Sequence, residues 1–332
     1  MAIEKPIAIY YEHPDWFRPL FAELDRRGTP YIRLDASCHS YDASNTQTNF
    51  RLFFNRMSAS AYLRDHGNAI FYTRNYLAHL ERAGVRVVNG YDSFAIETSK
   101  ALQLSLLSSL NLPCPRTRVI NCAKEAPDAA RDLGFPVIVK PNVGGRGAGI
   151  VRYDTPEALS LTAENGRIDL GIDSTALVQE FIPARGGHIT RVETLNGKYL
   201  YAMKVYTSGE SFNLCPAEIC QIEEGATQIG ELCLVDAPKS GLKVEPYTPD
   251  AAVIEAVERI AAAAHMDLGG IEYMVDDRDG RLLYYDINAL SNFVADAVNV
   301  IGFDPHVRLV DFLEEEARKC ATGTGSRFSV VG

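Results

Sequence analysis

The 332-residue chain is long enough for two or three compact units, and its 46% hydrophobic and 23% charged residues fit a globular protein, not a disordered one. Lysine and arginine number 33 against 43 aspartates and glutamates, and a net charge of −10 argues against nucleic acid or an anionic membrane as the main partner. Seven cysteines, at 38, 114, 122, 215, 220, 233 and 320, form no CxxC, and no signal core or membrane-length apolar run occurs, so free thiols in a soluble, cytoplasmic protein are expected.

Pro6–Tyr11 is a short apolar run and predicts a buried strand. A helix over Asp15–Arg26, closed by Gly28, and a strand over Tyr31–Leu34 complete a β-α-β opening, which points to a small parallel sheet. Leu52–Asn55 adds a strand, Ala69–Ala83 a helix and Val85–Val88 another strand, and "NGYDS" then reads as a break. Next come a helix over Ser99–Leu110, a strand over Arg116–Ile120, a helix over Ala126–Leu133 and a strand over Pro136–Lys140. Ile150–Tyr153 is a strand, a helix starts at Pro156, and Ala176–Glu180 is a strand. "HITRVETL" and "KYLYAMKVY" flank Asn196-Gly197, a strong hairpin signal. A helix to about His265 opens with Pro249 at its first position and carries the stripe Val253, Ile254, Val257, Ile260, Ala261, Ala264. Strands Ile271–Val275 and Leu282–Ile287 bracket "DDRDG", and a last helix ends near Lys319 before a loose tail.

The stretch "VIVKPNVGGRGAGIVRY" raises the question of a phosphate site, because glycines let backbone N–H groups approach an anion closely. A Walker loop needs its lysine after the glycines, and Lys140 precedes them. A dinucleotide turn needs a helix directly after the glycines, and "GIVRY" is strand-like. A glycine hairpin between antiparallel strands, folding over a triphosphate, fits best, and the alternative is a solvent-exposed glycine hairpin.

In "GGIEYMVDDRDGRLLYYDINALSN", Asp286 and Asn288 share one strand face. A three-residue loop, Arg278-Asp279-Gly280, would pair Asp277 with Arg281 and set Glu272 opposite Asp286. Facing acids in an apolar neighbourhood repel unless a cation lies between them, and an all-oxygen set of Glu272, Asp286 and Asn288 suits Mg²⁺, which also binds substrate phosphates. The alternative is a solvated acidic face.

Lys140 with its glycine loop, "LVQEFI" and "IEYM…YYDIN" occur in that order, and together they resemble an ATP-grasp enzyme, in particular the RimK-type and glutathione-synthetase-like carboxylate–amine ligases. The resemblance runs from about Tyr76 to about Phe293. It implies an α/β (α+β) ATP-grasp fold with the nucleotide between two antiparallel sheets. The parts would be an N-terminal α/β domain over 1–97, a central subdomain with the phosphate loop over 98–183, a C-terminal subdomain with the Mg²⁺ site over 184–318, and a flexible tail over 319–332. Lys100 and Lys140 resemble the lysines that reach the phosphates, and Gly144, Gly145, Arg146 and Gly147 the flap above them. Gln179, Glu180, Phe181 and Ile182 resemble the hinge that holds adenine. Lys204 resembles a cation near the γ-phosphate, Arg191 an arginine beside the reacting carboxylate, and Asn213 a further phosphate contact. Glu272, Asp286 and Asn288 resemble the ligands of Mg²⁺, with Mn²⁺ a substitute.

The implied chemistry is phosphorylation of a carboxylate by ATP, then attack of an amine on the acyl phosphate, with an amino acid or peptide on at least one side. A dimer or tetramer is implied by analogy. The same nucleotide residues would also suit a kinase acting on an alcohol, or a nucleotide-binding protein without turnover. The chain departs from the family pattern at Ile189, where RimK-type ligases carry Asp, in "PARGG", which lacks an acidic ribose contact, and in "ALSNF" after the metal asparagine. Arg56, Ser58 and Ser60 are candidates for a substrate carboxylate. Cys215 reads as structural, and His13, His79 and His188 are equal candidates to take a proton.

Overall fold

A computed structural model describes residues 5–13, 15–145, 147–206, 221–223, 226–229 and 243–321. Near the N-terminus, β1 (Ile7–Tyr11) is almost wholly buried. Helix α1 (Arg18–Arg27) ends as expected at Gly28, whose φ of 68° lets its N–H reach back to the last turn. Strands β2 (Tyr31–Asp35) and β3 (Leu52–Arg56), helix α2 (Gly67–Arg82) and strand β4 (Val87–Val88) follow. The four-stranded sheet has the order β2-β1-β3-β4, and its pairings are parallel. Because β2 and β3 lie on opposite sides of β1, the winding reverses between β1 and β3.

The stretch read as a break holds a helix, α3 (Tyr91–Glu97). Its first turn lacks a side-chain cap, so the sequence offers no start signal beyond Gly90. Helix α4 (Lys100–Ser109) has that signal, since the Ser99 side chain accepts from Leu102 N–H. The chain then forms β5 (Thr117–Ile120), α5 (Ala126–Ala130), β6 (Val137–Pro141), β7 (Ile150–Tyr153), α6 (Pro156–Glu164) and β8 (Ala176–Glu180).

Strands β9 (His188–Leu195) and β10 (Lys198–Tyr206) make the expected hairpin, with Asn196 and Gly197 at φ 53° and 67°, as a type I′ turn requires. The short strands β11 (Gln221–Glu223), β12 (Ala226–Ile229) and β13 (Val244–Tyr247) had no sequence signal. Helix α7 (Ala251–Ala263) has Asp250 as its N-cap, so Pro249 stands before the cap and not at the first helical position. Strands β14 (Leu268–Val275) and β15 (Leu282–Asn288) precede a short helix, α8 (Ala297–Ile301), and the last helix, α9 (Pro305–Ala321). Helix α9 thus takes in the first residues of the proposed tail, and the remainder of that tail lies outside the described residues.

Two antiparallel sheets follow the parallel one. Their orders are β11-β12-β7-β6-β8-β5 and β13-β10-β9-β14-β15. One core joins Ile7, Phe54 and Phe21 of the first unit to Met203, Phe293 and Leu313 of the last, which fixes these units against each other. No described helix is long and apolar enough to cross a membrane. The described cysteines Cys38, Cys114, Cys122 and Cys320 are free.

Asn89 locks that junction. It sits at φ 52°, buried, and its Oδ1 accepts from Asp267 N (3.0 Å) and Leu268 N (3.1 Å) while its Nδ2 donates to Leu268 O (2.7 Å) and Ala289 O. Arg86 adds a two-point pair with Asp267 (2.8 and 3.0 Å) and reaches Glu316 (2.8 Å). Removing the amide would strand several buried backbone groups. Asn89→Ala is therefore expected to cost on the order of 2–4 kcal/mol, seen as a lowered urea midpoint. An unchanged midpoint would show that water replaces the amide at no cost.

Candidate functional site

Pairing across β9, β14 and β15 lays out a grid on one sheet face. Arg191, Glu272 and Asp286 form one rank, and Glu193, Gly270 and Asn288 the next. The sequence reading reached the Glu272–Asp286 pairing through the wrong loop. Val275 pairs with Leu282, and Asp276 N–H donates to Arg281 O (2.8 Å), so Asp277 does not pair with Arg281. A bulge at Tyr285 then shifts the register by one and brings Glu272 opposite Asp286. Gly280 does take the expected left-handed conformation, at φ 82°. The bulge also turns Tyr285 so that its hydroxyl donates to Glu272 Oε2 (2.7 Å).

The grid is dense in charge. Arg191 is buried and donates from Nε to Glu193 (2.6 Å) and from Nη1 to Glu272 (2.7 Å). Burial alone would lower its pKa, but Glu193 and Glu272 outweigh this and keep it protonated. Gly270 makes room for the guanidinium: a Cβ there would lie 2.5 Å from Arg191 Nη2. Burial pushes Glu272 up, and the charge of Asp286 adds to that against the pull of Arg191. Burial would also raise Asp286, but Lys100, at 2.7 Å, holds it below the usual carboxylate range.

Lys100, at the start of α4, and Lys140, on β6, both feel the charge of this cluster. Lys100 opens α4, whose placement rests on Gln103: its amide donates to Ile287 O (2.9 Å) and accepts from Ile287 N–H (3.2 Å). Asn142, just past β6, accepts from Ala101 N–H (2.9 Å), and its carbonyl takes Lys100 N–H (3.2 Å), tying the glycine loop to the start of α4. Burial, then the charge of Lys100, lowers Lys140 to about 7. Among the described residues Lys140 has no hydrogen-bond or ion-pair partner.

The glycine loop links antiparallel β6 and β7, the strand–loop–strand arrangement read from the sequence. Gly147 and Gly149 sit at φ 77° and 74°. Gly145 packs on the first unit, where a Cβ would come 3.1 Å from Ser60 Cβ. Gln179 and Glu180 end β8, and Phe181 and Ile182 follow. The N–H groups of Glu180 and Phe181 already donate to Arg116 O and Pro136 O (3.0 Å each), while Ile182 N–H has no acceptor among the described residues.

Other sequence candidates fall elsewhere. Lys204 pairs with Thr190, on the opposite sheet face from Arg191, and its ammonium sits 4.5 Å from the Tyr247 ring centre. The structure therefore does not bring it to the carboxylate grid. Arg56 is buried and donates to Ser291 O and Asn292 Oδ1 (2.9 Å). Arg146 and Asn213, with Cys215, Cys220 and Cys233, lie outside the described residues. Sequence reasoning missed Gln103, Asn142, Tyr285 and Glu97, which accepts from Ala289 N–H (2.5 Å) and Leu290 N–H (3.2 Å) just after Asn288. Only the capping signal at Ser99 hinted at any of them, since it places Gln103 one turn into α4.

The donor set fits a hard cation. No group of three or more His, Cys, Asp and Glu side chains suited to a metal occurs among the described residues. The set here is two carboxylates and an amide, and Mg²⁺ takes few carboxylates because substrate phosphates and water complete its shell. Asn288 Nδ2 lies 3.3 Å from Glu272 Oε1 and 3.0 Å from Asp286 Oδ2. Turning that amide, whose O and N are interchangeable in shape, would aim three oxygens at one place. Asp286 and Lys100 are of opposite sign, so a magnesium–phosphate guest would compensate both.

Residues 99–183 match the family described as carbamoyl-phosphate synthase L chain, ATP binding domain. Over 214 residues the chain is 29% identical to a "probable alpha-L-glutamate ligase" of Teredinibacter turnerae, spanning 60% of this chain and 70% of that one. A protein of the same description from Vibrio vulnificus is 27% identical over 226 residues, 64% and 73% of the two chains. In structure the chain is similar to the RimK domain ATP-grasp protein of Sphaerobacter thermophilus, with TM-score 0.65 and 19% identity over 92% of this chain and 98% of that one. It is also similar to D-cycloserine synthetase DcsG, with TM-score 0.66 and 17% identity over 94% and 99%. The likeness to these structures extends to the whole fold, with two antiparallel sheets.

The close seat of Arg191 on Gly270 makes a specific demand. Gly270→Ala is expected to force the guanidinium off Glu272 and lower stability by about 1–3 kcal/mol. A thermal melt checks this, and a melt equal to the parent protein would mean that Arg191 is not held there.

Proposed function

We propose that the chain is an ATP-grasp ligase of the RimK type, and that it joins a carboxylate to an amine at the expense of ATP, releasing ADP and phosphate. The observation that carries the reading is the meeting of Lys100 and Lys140 with Glu272 and Asp286 behind a glycine hairpin. Two cations and two carboxylates gathered in a desolvated space suit a guest that carries both signs, and a nucleotide phosphate with its divalent cation is such a guest.

In this reading, Lys100, Lys140 and the N–H groups of the glycine loop hold the phosphates, and Ile182 N–H takes an adenine nitrogen. Glu272, Asp286 and Asn288 would hold Mg²⁺, which supplies charge neutralisation of the phosphates. Arg191 orients the substrate carboxylate. A carboxylate oxygen attacks the γ-phosphorus, ADP leaves, and an acyl phosphate forms. The amine then attacks the acyl carbon, and the C–O bond to phosphate breaks. Positioning and electrostatics supply the catalysis, so no covalent nucleophile on the protein is needed. Docking of the glycine loop on Ser60 keeps water from the acyl phosphate. The relatives described as glutamate ligases support an amino acid or peptide on at least one side. Lys204 has no part in this scheme.

Two outcomes are expected. Purified protein with Mg²⁺, ATP, hydroxylamine and pools of carboxylic acids will release ADP and form a hydroxamate. ADP with a phosphorylated alcohol and no hydroxamate would replace the ligase with a kinase. Separately, Lys140, at about 7, is mostly neutral one pH unit above that value, and a bound phosphate raises its pKa. Nucleotide binding at that pH should therefore take up about one proton. Calorimetry in buffers of different ionisation enthalpy measures it, and Lys140→Met should abolish the uptake. Uptake that persists in the variant would place the proton elsewhere.

A further inference from the structure

In an open parallel sheet, ligands bind beyond the carboxyl ends of the strands where the winding reverses. Here that place lies between β1 and β3. Glu12 directly follows β1, and Ser58 and Ser60 follow β3. The segment from 56 to 60 touches both halves of the candidate site. Arg56 bonds the loop after Asn288, through Ser291 O and Asn292 Oδ1, and Ser60 meets Gly145 of the glycine loop.

At this spot stands a carboxylate–histidine pair that the scheme above does not use. His66 Nδ1 lies 2.7 Å from Glu12 Oε1, with the Glu12 side chain 1% exposed and that of His66 38% exposed. Arg64 grips the same carboxylate at 2.8 and 2.7 Å, lies against the Trp16 ring, and reaches Ser60 Oγ at 3.4 Å. Burial would raise Glu12, but its bonds from Arg64 and His66 hold it ionised. An ionised carboxylate only accepts, so Nδ1 carries a proton, and in the neutral ring Nε2 is the atom that presents a lone pair. Nε2 has no partner among the described residues. The neighbouring Gly67 faces the unit that bears the glycine loop, since a Cβ there would be 4.0 Å from Ile172 Cδ1.

The other histidines lack this combination. His265 and His306 pair with acids that are 58% and 48% exposed. His13 stacks on Trp16, His79 stacks on Tyr76 and tilts against Tyr41, and His39 lies 2.9 Å from the Tyr72 hydroxyl, while among the described residues His188 meets only a backbone carbonyl and the Tyr206 ring.

We propose that His66, oriented by Glu12, is the general base that takes the proton of the attacking amine. The assignment rests on the ligase reading. The amine nitrogen forms the C–N bond, the acyl C–O bond breaks with its electron pair leaving on phosphate, and the nitrogen's proton passes to His66 Nε2. The acceptor is accordingly an amine with a proton to lose, and it arrives at the N-terminal unit's side of the cleft, while the activated carboxylate lies on the Arg191 side.

The test separates the two half-reactions. Hydroxylamine is unprotonated at neutral pH and attacks an acyl phosphate without a base. With the carboxylate pool active in the hydroxylamine assay, and a pool of the common amino acids as amines, His66→Gln should lose about 100-fold or more of amide formation. Its Mg²⁺-dependent hydroxamate formation should stay within about threefold of the parent, which also reports that the variant folds and binds ATP. Glu12→Gln should show the same split in weaker form. Parental amide formation in His66→Gln would overturn the assignment. So would an equal fall of both products in His66→Gln, because His66 would then serve the fold or the ATP site. Absence of hydroxamate from the parent protein would instead remove the ligase reading, and this assignment with it.

Discussion

Asp286 holds the site together, because it is the carboxylate that both the buried Lys140 and the part-buried Lys100 need. Lys100 sits 2.7 Å from it, and Lys140 feels its charge without touching it. Two ammonium groups in a desolvated space repel, and each loses hydration. The pair with Asp286 stabilises Lys100, and the deficit falls on Lys140, whose pKa drops to about 7. On the other side Glu272 is held by Arg191 and Tyr285. The protein thus sustains a charge distribution that a polyanion and a cation would relieve.

That distribution survives because its members stand on rigid elements from different parts of the chain. Gln103 pins α4 to β15 through the backbone of Ile287, and Asn142 ties the end of β6 to the start of α4. Glu97 fixes the backbone after Asn288, while Asn89 and Arg86 fix the first unit to β14. A buried charge is tolerated only where its partner cannot drift. The amides do that work without adding charge.

Much of this was legible in the sequence. The Asn196-Gly197 turn, the strand–glycine loop–strand unit and the shared face of Asp286 and Asn288 each follow from local rules of period and turn chemistry. What escaped has a common physical cause. The bulge at Tyr285 is a local register change that strand alternation hides, so the right pairing was reached through the wrong loop. The face of Lys204 depends on the β9–β10 register, which likeness to a motif does not fix. Gln103, Asn142 and His66 act through partners distant in sequence, Ile287, Ala101 and Glu12, and no spacing along the chain announces those contacts. Short helices such as α3 lack a capping side chain and leave no start signal.

The central claim is that one cluster serves both the phosphates and the divalent cation. A crystal structure of the protein with Mg²⁺ and ADP tests it most directly. The account requires the metal on oxygens of Glu272, Asp286 and Asn288, with the Asn288 amide turned toward it and Lys140 within hydrogen-bond reach of a phosphate. A metal held by other residues, or phosphates that bypass Lys140 and the glycine loop, would contradict it.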